Sequence, residues 1–329
     1  MSKNVKIFAV SIFLLLFLAG SASAHVRYVL DKSEVQEGLQ AAAPFFNAPI
    51  AVGFIVFVIA LFALDFRFYK KGIKLEFIRN MEQIKDYVPL ILRVFIGTGL
   101  IVAGLNGWLL SVDTPVEGVG VIQIVLGTLL LLGFLTRIAA AGLVFLWLFS
   151  LLSFGMGVTE SGAMHHLEVA GVGIFLMLWG SSVYGLDNMI KINIGETLTR
   201  FKKYDMLILR ATLGITLIWL SIVEKLLYPG LGVAVVEKYA LPTFGVDAAT
   251  FVFIAGLVEF SAGLAILLGL TTRFITLVAA IFVIIGIITF GESVSSHFGF
   301  VGVALAIIIR GASGYSVDDF LKNFVKTHE

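Results

Sequence analysis

The chain has 329 residues, of which 59% are hydrophobic and only 14% are charged, and its mean hydropathy is +1.02. A soluble domain carries roughly one-quarter charged residues, so this composition predicts an integral membrane protein whose main partner is the lipid bilayer. The formal net charge of +1 gives no support for nucleic-acid binding, and the absence of cysteine excludes disulfides, thiolate metal sites and thiol redox chemistry.

The N-terminus has the pattern of a secretory signal, with Lys3 and Lys6, an apolar run over 7–18, and a small-residue cleavage site ending at Ala24. We therefore expect a signal peptide over 1–24 and a solvated extracytoplasmic arm over 25–47. An uncleaved signal anchor is the alternative. Cleavage would expose His25 as a weak copper ligand, although a solvated terminal residue is the simpler interpretation.

Downstream of the arm, the chain holds about nine apolar segments long enough to cross a bilayer. They lie near 48–66, 88–110, 118–136, 138–157, 164–184, 206–227, 248–271, 273–290 and 295–312. The expected fold class is therefore an all-α, polytopic membrane protein.

Basic residues are expected to stay on the cytoplasmic side of a membrane. When the spans alternate, most basic residues fall on one side, including Lys70, Lys74, Arg79, Lys85, Arg200, Lys202, Lys203 and Lys322. This places the protein in the cell membrane with the arm outside and the C-terminus in the cytoplasm. Arg93, Arg137, Arg210 and Arg273 are expected to anchor helix ends and contact lipid headgroups.

An internal repeat organises the chain. Leu92-Arg93 with Gly97 recurs as Leu209-Arg210 with Gly214; the run from Gly127 to Arg137 recurs from Gly263 to Arg273; and Gly180, Ser182, Tyr184 and Asp187 recur as Gly311, Ser313, Tyr315 and Asp318. We expect two parallel four-helix repeats, at 88–187 and 206–318, after one N-terminal span at 48–66. A cytoplasmic linker at 188–205 and a cytoplasmic tail at 319–329 complete the organisation.

Ionisable residues within spans cost roughly 2.5 to 3.5 kcal/mol each on insertion scales, so each one indicates a role. In the second repeat, Glu224, Glu259 and His297 each lie about 21 Å along a helix from a cytoplasmic marker, at 1.5 Å per residue. Lys225 adjoins Glu224. We therefore expect these four side chains to converge in the outer part of the membrane. A self-neutralised cluster that only fixes helix register is the alternative.

The first repeat replaces most of these charges. Gly107 and Trp108 stand at the Glu-Lys position and Gln123 at the position of Glu259, while His166 matches His297. His165, His166 and Glu168 form a local polar group. A metal site is one interpretation of it, but interfacial polar residues are the better one, because the side chains of adjacent helical histidines diverge. Axial haem ligation by His166 and His297 is a further, weaker alternative.

The second repeat resembles the DoxX family of four-helix membrane proteins. The residues that carry the resemblance are Arg210, Gly214, Glu224-Lys225, Glu259, Gly263, the run 267–273 and His297. The first repeat resembles the family more weakly. The resemblance implies a family that includes quinone-linked membrane subunits of oxidoreductases, and hence a quinone as the candidate cofactor, although a family alone does not supply an activity.

Three functions remain open from the sequence. In the leading hypothesis, His297 and Glu259 are catalytic and accept protons from a quinol, and the substrate is bound by Glu224, Lys225, His166 and Gln123. The redox centre would then belong to another membrane or extracytoplasmic subunit. The alternatives are a small-solute transporter, which the parallel repeats favour, and a non-catalytic structural partner in a membrane complex.

Overall fold

The computed structural model describes residues 29–30, 32–40, 48–56, 58–59, 81, 83–110, 115–156, 162–192 and 194–328. The predicted signal peptide, most of the basic loop after the first span and the end of that span lie outside these residues. Among the described residues, helices are the only regular secondary structure, and a single isolated bridge joins Trp108 to Pro115. The predicted all-α class is confirmed.

The helices follow one another in short steps along the described chain. They are α1 (Lys32–Gln40), α2 (Val88–Leu105), α3 (Val119–Leu132), α4 (Thr136–Phe154), α5 (Leu167–Trp179), α6 (Asp205–Ser221), α7 (Pro229–Lys238), α8 (Ala248–Leu268), α9 (Thr272–Phe290), α10 (Phe298–Arg310) and α11 (Val317–His328). Residues 48–56 are also helical.

Five helical stretches are long and apolar enough to cross a membrane: Lys85–Leu105, Thr136–Phe154, Thr197–Leu227, Ala248–Leu268 and Thr272–Phe290. Three shorter apolar helical stretches, Val119–Leu132, Ala163–Trp179 and Val294–Arg310, match three more of the predicted spans. Large apolar side chains on these helices are exposed, among them Leu105, Phe145, Leu152 and Ile288. Lipid solvates such surfaces without cost, so the protein is a polytopic membrane protein.

The packing divides the chain into two compact units. The first unit holds Leu217–Ala262, Val278–Glu292 and the described residues before 61; the second holds Gly263–Leu277, Ser293–Glu329 and the described part of Leu61–Thr216. In the second unit, α2 packs along α3 and α10, and α4 packs along α5.

In the first unit, α1 packs on α7. Val29, Leu30 and Val35 are buried against Leu231 and Val235. The predicted arm is therefore not simply solvated in its described part, because its apolar residues share a core with α7, a helix that lies outside the predicted spans.

Two buried arginines each hold the ends of several helices together in the second unit. Both Arg93 and Arg210 are fully buried. Arg93 donates hydrogen bonds to the carbonyls of Leu130, Leu131 and Ser181, at 2.8, 3.0 and 2.5 Å. Arg210 donates to the carbonyls of Leu267, Gly314 and Tyr315, at 3.5, 3.4 and 3.0 Å, and Leu267 is the repeat counterpart of Leu131. The prediction that these two arginines contact headgroups is wrong, because both are fully buried and donate hydrogen bonds to carbonyls at helix ends instead.

Two aspartates complete the same arrangement. The Asp187 carboxylate accepts hydrogen bonds from the backbone N–H groups of Leu135 and Thr136, at 2.6 and 2.9 Å. The Asp318 carboxylate accepts them from Thr271 and Thr272, at 2.8 and 3.1 Å. Each aspartate also donates its own backbone N–H, to the carbonyl of Gly133 or of Gly269. Both glycines end a helix with positive φ, at 63° and 70°, a conformation that glycine adopts without strain.

Close helix packing also repeats. A Cβ on Gly97 would lie 2.8 Å from the carbonyl oxygen of Gly127, and a Cβ on Gly214 would lie 2.6 Å from that of Gly263. Small residues let membrane helices approach closely, and this close packing matters because the hydrophobic effect does not drive helices together in lipid. These matched contacts, at the positions that the sequence repeat pairs, support our proposal that 88–187 and 206–318 are copies of one module.

Candidate functional site

The strongest concentration of charge inside a span is the ion pair between Lys225 and Glu259. The Nζ atom of Lys225 lies 2.7 Å from Oε2 of Glu259, and the two side chains are only 2% and 9% exposed. Glu224, beside Lys225, is also buried. We call these three residues the buried triad. It lies within the first unit, on α8 and on the turn that follows α6.

The local backbone explains how two adjacent charged residues are both buried. Residues Ile222–Leu227 form a π-helical turn, which contains Glu224 and Lys225. Adjacent side chains of a regular α-helix diverge by about 100°, so one of two neighbours usually leaves the packed face. A π turn is wider and turns less per residue, and such turns are frequent at functional sites.

Tight packing holds α8 against this turn. The hydroxyl of Ser221 donates a hydrogen bond to the carbonyl of Gly256, at 2.7 Å. A Cβ on Gly256 would lie 3.1 Å from the Cβ of Lys225. The absence of a side chain at Gly256 therefore leaves room for the lysine stem, one turn before Glu259 on α8.

The triad combines two carboxylates with one ammonium. If all three groups were ionised, the cluster would carry one uncompensated negative charge in a low-dielectric setting, which is strongly unfavourable. Both carboxylates interact electrostatically with Lys225. This composition can bind and release a proton, and it offers both a donor and an acceptor to a polar ligand.

The first proposed repeat lacks these charged side chains, and its backbone also differs at the matching position. Its helix α2 ends at Leu105, and Gly107 has a positive φ of 71° in the turn that follows. The chain therefore turns where the second copy continues into the π turn. Gln123, at the position of Glu259, accepts a hydrogen bond from Leu110 N at 2.8 Å and donates one to Trp108 O at 2.5 Å. It positions this loop, and substrate binding by Gln123 stays a prediction.

His297 belongs to the second unit. It is 4% exposed and ends the short 3₁₀ helix Val294–His297, which precedes α10. Its Nδ1 atom lies 3.1 Å from the carbonyl oxygen of Ser293. Its predicted role as a proton acceptor remains a prediction.

His166 lies in a second polar environment, together with Glu168. Both residues are buried and line a cavity of about 20 Å³, with Ser295, Ser296 and Gly299 among its other walls. The Glu168 carboxylate accepts a hydrogen bond from the Thr216 hydroxyl at 3.4 Å. A space of this size holds about one water molecule. Within the described part of the chain, no group of three His, Cys, Asp or Glu side chains has the arrangement of a metal site.

Sequence reasoning missed Thr216, Ser221 and the π turn. Thr216 and Ser221 are hydroxyl residues within an apolar run, where they are common and carry little signal. A π turn leaves no signature in hydrophobic periodicity.

The fold and the charged groups buried in its spans define a polytopic α-helical membrane protein. Residues 206–292 match the family model described as DoxX. No curated protein and no solved structure matches the chain. The chain therefore carries a DoxX domain from α6 to just beyond α9, and this stretch belongs to the DoxX family, as its resemblance predicts. The matched stretch contains the whole buried triad.

Proposed function

We propose that this DoxX-like membrane protein is a quinone-linked subunit of an oxidoreductase, and that its buried triad binds a quinol headgroup and takes up its protons. The observation that carries the proposal is the ion pair of Lys225 and Glu259 at 2.7 Å inside the membrane domain. An ammonium donates a hydrogen bond to a ring oxygen, and a carboxylate accepts the proton of a ring hydroxyl.

Oxidation of a quinol to a quinone releases two protons and two electrons. The two carboxylates of the triad are the proposed proton acceptors, with Glu259 first because it pairs with the ammonium that holds the ring. The electrons pass to a redox cofactor on a partner subunit, which lies in the membrane or outside it. His297 keeps its separate predicted role as a proton acceptor.

The test uses the protein purified with its native partners. Solvent extraction measures bound quinone, and reduced-minus-oxidised spectra detect the partner's redox centre. We expect Glu259→Gln to retain quinone and to lower quinol-dependent turnover roughly 100-fold, within the usual range for loss of an acid–base group. Glu237→Gln, at the end of α7, removes a carboxylate outside the triad and should leave turnover unchanged. Absence of quinone from the wild-type complex, together with unchanged turnover in Glu259→Gln, would overturn the proposal.

A purely structural role is the second candidate, and the close packing of Gly256 on Lys225 favours it. The triple variant Glu224→Gln, Lys225→Met and Glu259→Leu removes all three charges of the triad together, so no unpaired charge is left in it. A structural partner would keep its complex and wild-type turnover in this variant. The quinone proposal instead expects an assembled complex with lost turnover.

A further inference from the structure

A separate cavity of about 210 Å³ lies in the second unit, and none of its lining residues belongs to the buried triad. Its walls come from the start of α4, the end of α5 and the linker that precedes α6. Arg137 and Lys202 bring two positive charges to these walls, and Trp179 brings an aromatic ring. We call this space the linker cavity.

The hydrogen-bond and ring partners of the two cations in the linker cavity are neutral groups. The Arg137 guanidinium donates hydrogen bonds to the carbonyls of Met177 and Ile194, both at 2.9 Å. The Nζ atom of Lys202 lies over the Trp179 ring, 4.2 Å from its centroid. Among the described residues, neither cation forms an ion pair with a carboxylate, and Asp205 attracts Lys202 only from beyond ion-pair distance.

The nearby carboxylates are already engaged. Asp205 forms an ion pair with Arg310 at 2.5 Å and accepts a hydrogen bond from the indole of Trp179 at 2.9 Å. Asp187, which lines the cavity, accepts the backbone N–H groups described above. Lys202 is repelled electrostatically by both Arg137 and Arg310. A cluster of like charges at a membrane protein's surface is stabilised by a bound anion.

The other walls fit a lipid headgroup. Thr136 and Ser181 line the cavity, and their buried hydroxyls make no hydrogen bond within the described part of the chain. At its rim, Ile138 and Ile194 are 48% and 47% exposed. Cationic and hydroxyl groups suit a phosphate, whereas an exposed apolar rim suits the acyl chains that follow it. An exposed apolar rim would not strengthen the binding of soluble phosphate.

We propose that the linker cavity binds the phosphate group of an anionic phospholipid, held by Lys202 and Arg137 with the hydroxyls of Thr136 and Ser181 as further donors. Basic pockets between membrane helices are known to recognise such headgroups. This site is independent of the quinol proposal, because it shares no residue with the triad.

The test compares two adjacent lysines in the full chain. Lys203 lies over the Tyr204 ring and outside the cavity walls, so Lys203→Gln is a matched control for Lys202→Gln. Native mass spectrometry of delipidated protein in detergent measures binding of phosphatidylglycerol and of phosphatidylcholine. We expect wild type to prefer phosphatidylglycerol, and Lys202→Gln to bind it about fivefold more weakly, as loss of about 1 kcal/mol per lysine implies.

A third arm titrates inorganic phosphate into delipidated protein and follows its melting temperature. Stabilisation by phosphatidylglycerol but not by millimolar phosphate supports the lipid as the source. Stabilisation by phosphate alone, lost in Lys202→Gln, supports the phosphate site and overturns its assignment to a lipid. Equal lipid binding by the two lysine variants, or no preference for the anionic lipid, overturns the site itself.

Discussion

Gly214 in α6 and Gly263 in α8 approach so closely that a Cβ on Gly214 would lie 2.6 Å from the carbonyl oxygen of Gly263. Backbone atoms cannot move aside as a flexible side chain can. We therefore expect Gly214→Ala to lower the free energy of unfolding by about 1 to 3 kcal/mol, the usual cost of overpacking. Reversible unfolding in mixed detergent micelles measures this change.

Gly286 in α9 is the matched control, because a Cβ there would have no atom closer than 3.9 Å. Gly286→Ala is expected to be neutral or to stabilise the helix by up to about 1 kcal/mol. Similar losses of stability in the two variants would contradict close packing as the cause.

The buried ion pair of Lys225 and Glu259 has an exposed counterpart of the same length. Lys238 and Glu34 also lie 2.7 Å apart, but their side chains are 33% and 35% exposed. Removal of one partner from a buried pair leaves an uncompensated charge, so Lys225→Met should lower the free energy of unfolding by about 3 to 5 kcal/mol. Lys238→Met should lower it by at most about 1 kcal/mol. Equal effects in the same unfolding assay would show that the triad is not desolvated.

The carboxylate of Asp318 holds the turn between α8 and α9. It accepts the backbone N–H groups of Thr271 and Thr272 and the Thr272 hydroxyl, at 2.8, 3.1 and 2.9 Å. Asp318→Ala leaves these donors without their acceptor and should cost about 1 to 3 kcal/mol of unfolding free energy. The neighbouring Asp319, whose carboxylate makes no hydrogen bond among the described residues, provides the control. A melting temperature that falls equally in Asp319→Ala would count against this role.

Asp247 caps the start of α8. Its carboxylate accepts hydrogen bonds from the backbone N–H and the hydroxyl of Thr250, at 2.9 and 2.7 Å. We expect Asp247→Ala to increase hydrogen exchange at the first turn of α8, whereas Asp247→Asn keeps an acceptor oxygen and most of the protection. Unchanged hydrogen exchange in Asp247→Ala would contradict the capping role of Asp247.

The same cap predicts a pH dependence. Hydrogen bonds from the hydroxyl and the backbone N–H of Thr250 hold the pKa of Asp247 below its ordinary value. A group with a lowered pKa in the folded state stabilises fully above its unfolded pKa, about 3.9, and loses that contribution as pH falls through the folded value. Protection of the first turn should therefore be constant near neutral pH and decline only in acid, and it should be independent of pH in Asp247→Asn.

The sequence predicts the spans well, because each is a long apolar run bounded by charged or glycine-rich turns. It also groups Glu224, Lys225 and Glu259 with His297, since ionisable residues within spans must find partners. The ion pair of Lys225 and Glu259 is present in the structure, and convergence with His297 stays a prediction.

Other features depend on three-dimensional contacts that no local pattern records. The burial of Arg93 and Arg210 depends on carbonyls contributed by distant helix ends. Helix α7 and the packing of α1 on it are missed, because α7 has only ten residues, too few to cross a bilayer, and lies between the predicted spans at 206–227 and 248–271. The linker cavity forms only where residues near Lys202 fold against the end of α5.

The two buried arginines bind main-chain oxygens, which every residue carries whatever its side chain. Substitutions at the acceptor positions therefore leave these hydrogen bonds in place, although a side chain at Gly133 or Gly269 would collide with the guanidinium group. Among the described residues, the far ends of these helices are not held by a buried arginine in this way. The bundle therefore has one end that is held through main-chain atoms and another where the first proposed repeat carries Gly107 and Gln123 while the second carries the buried triad.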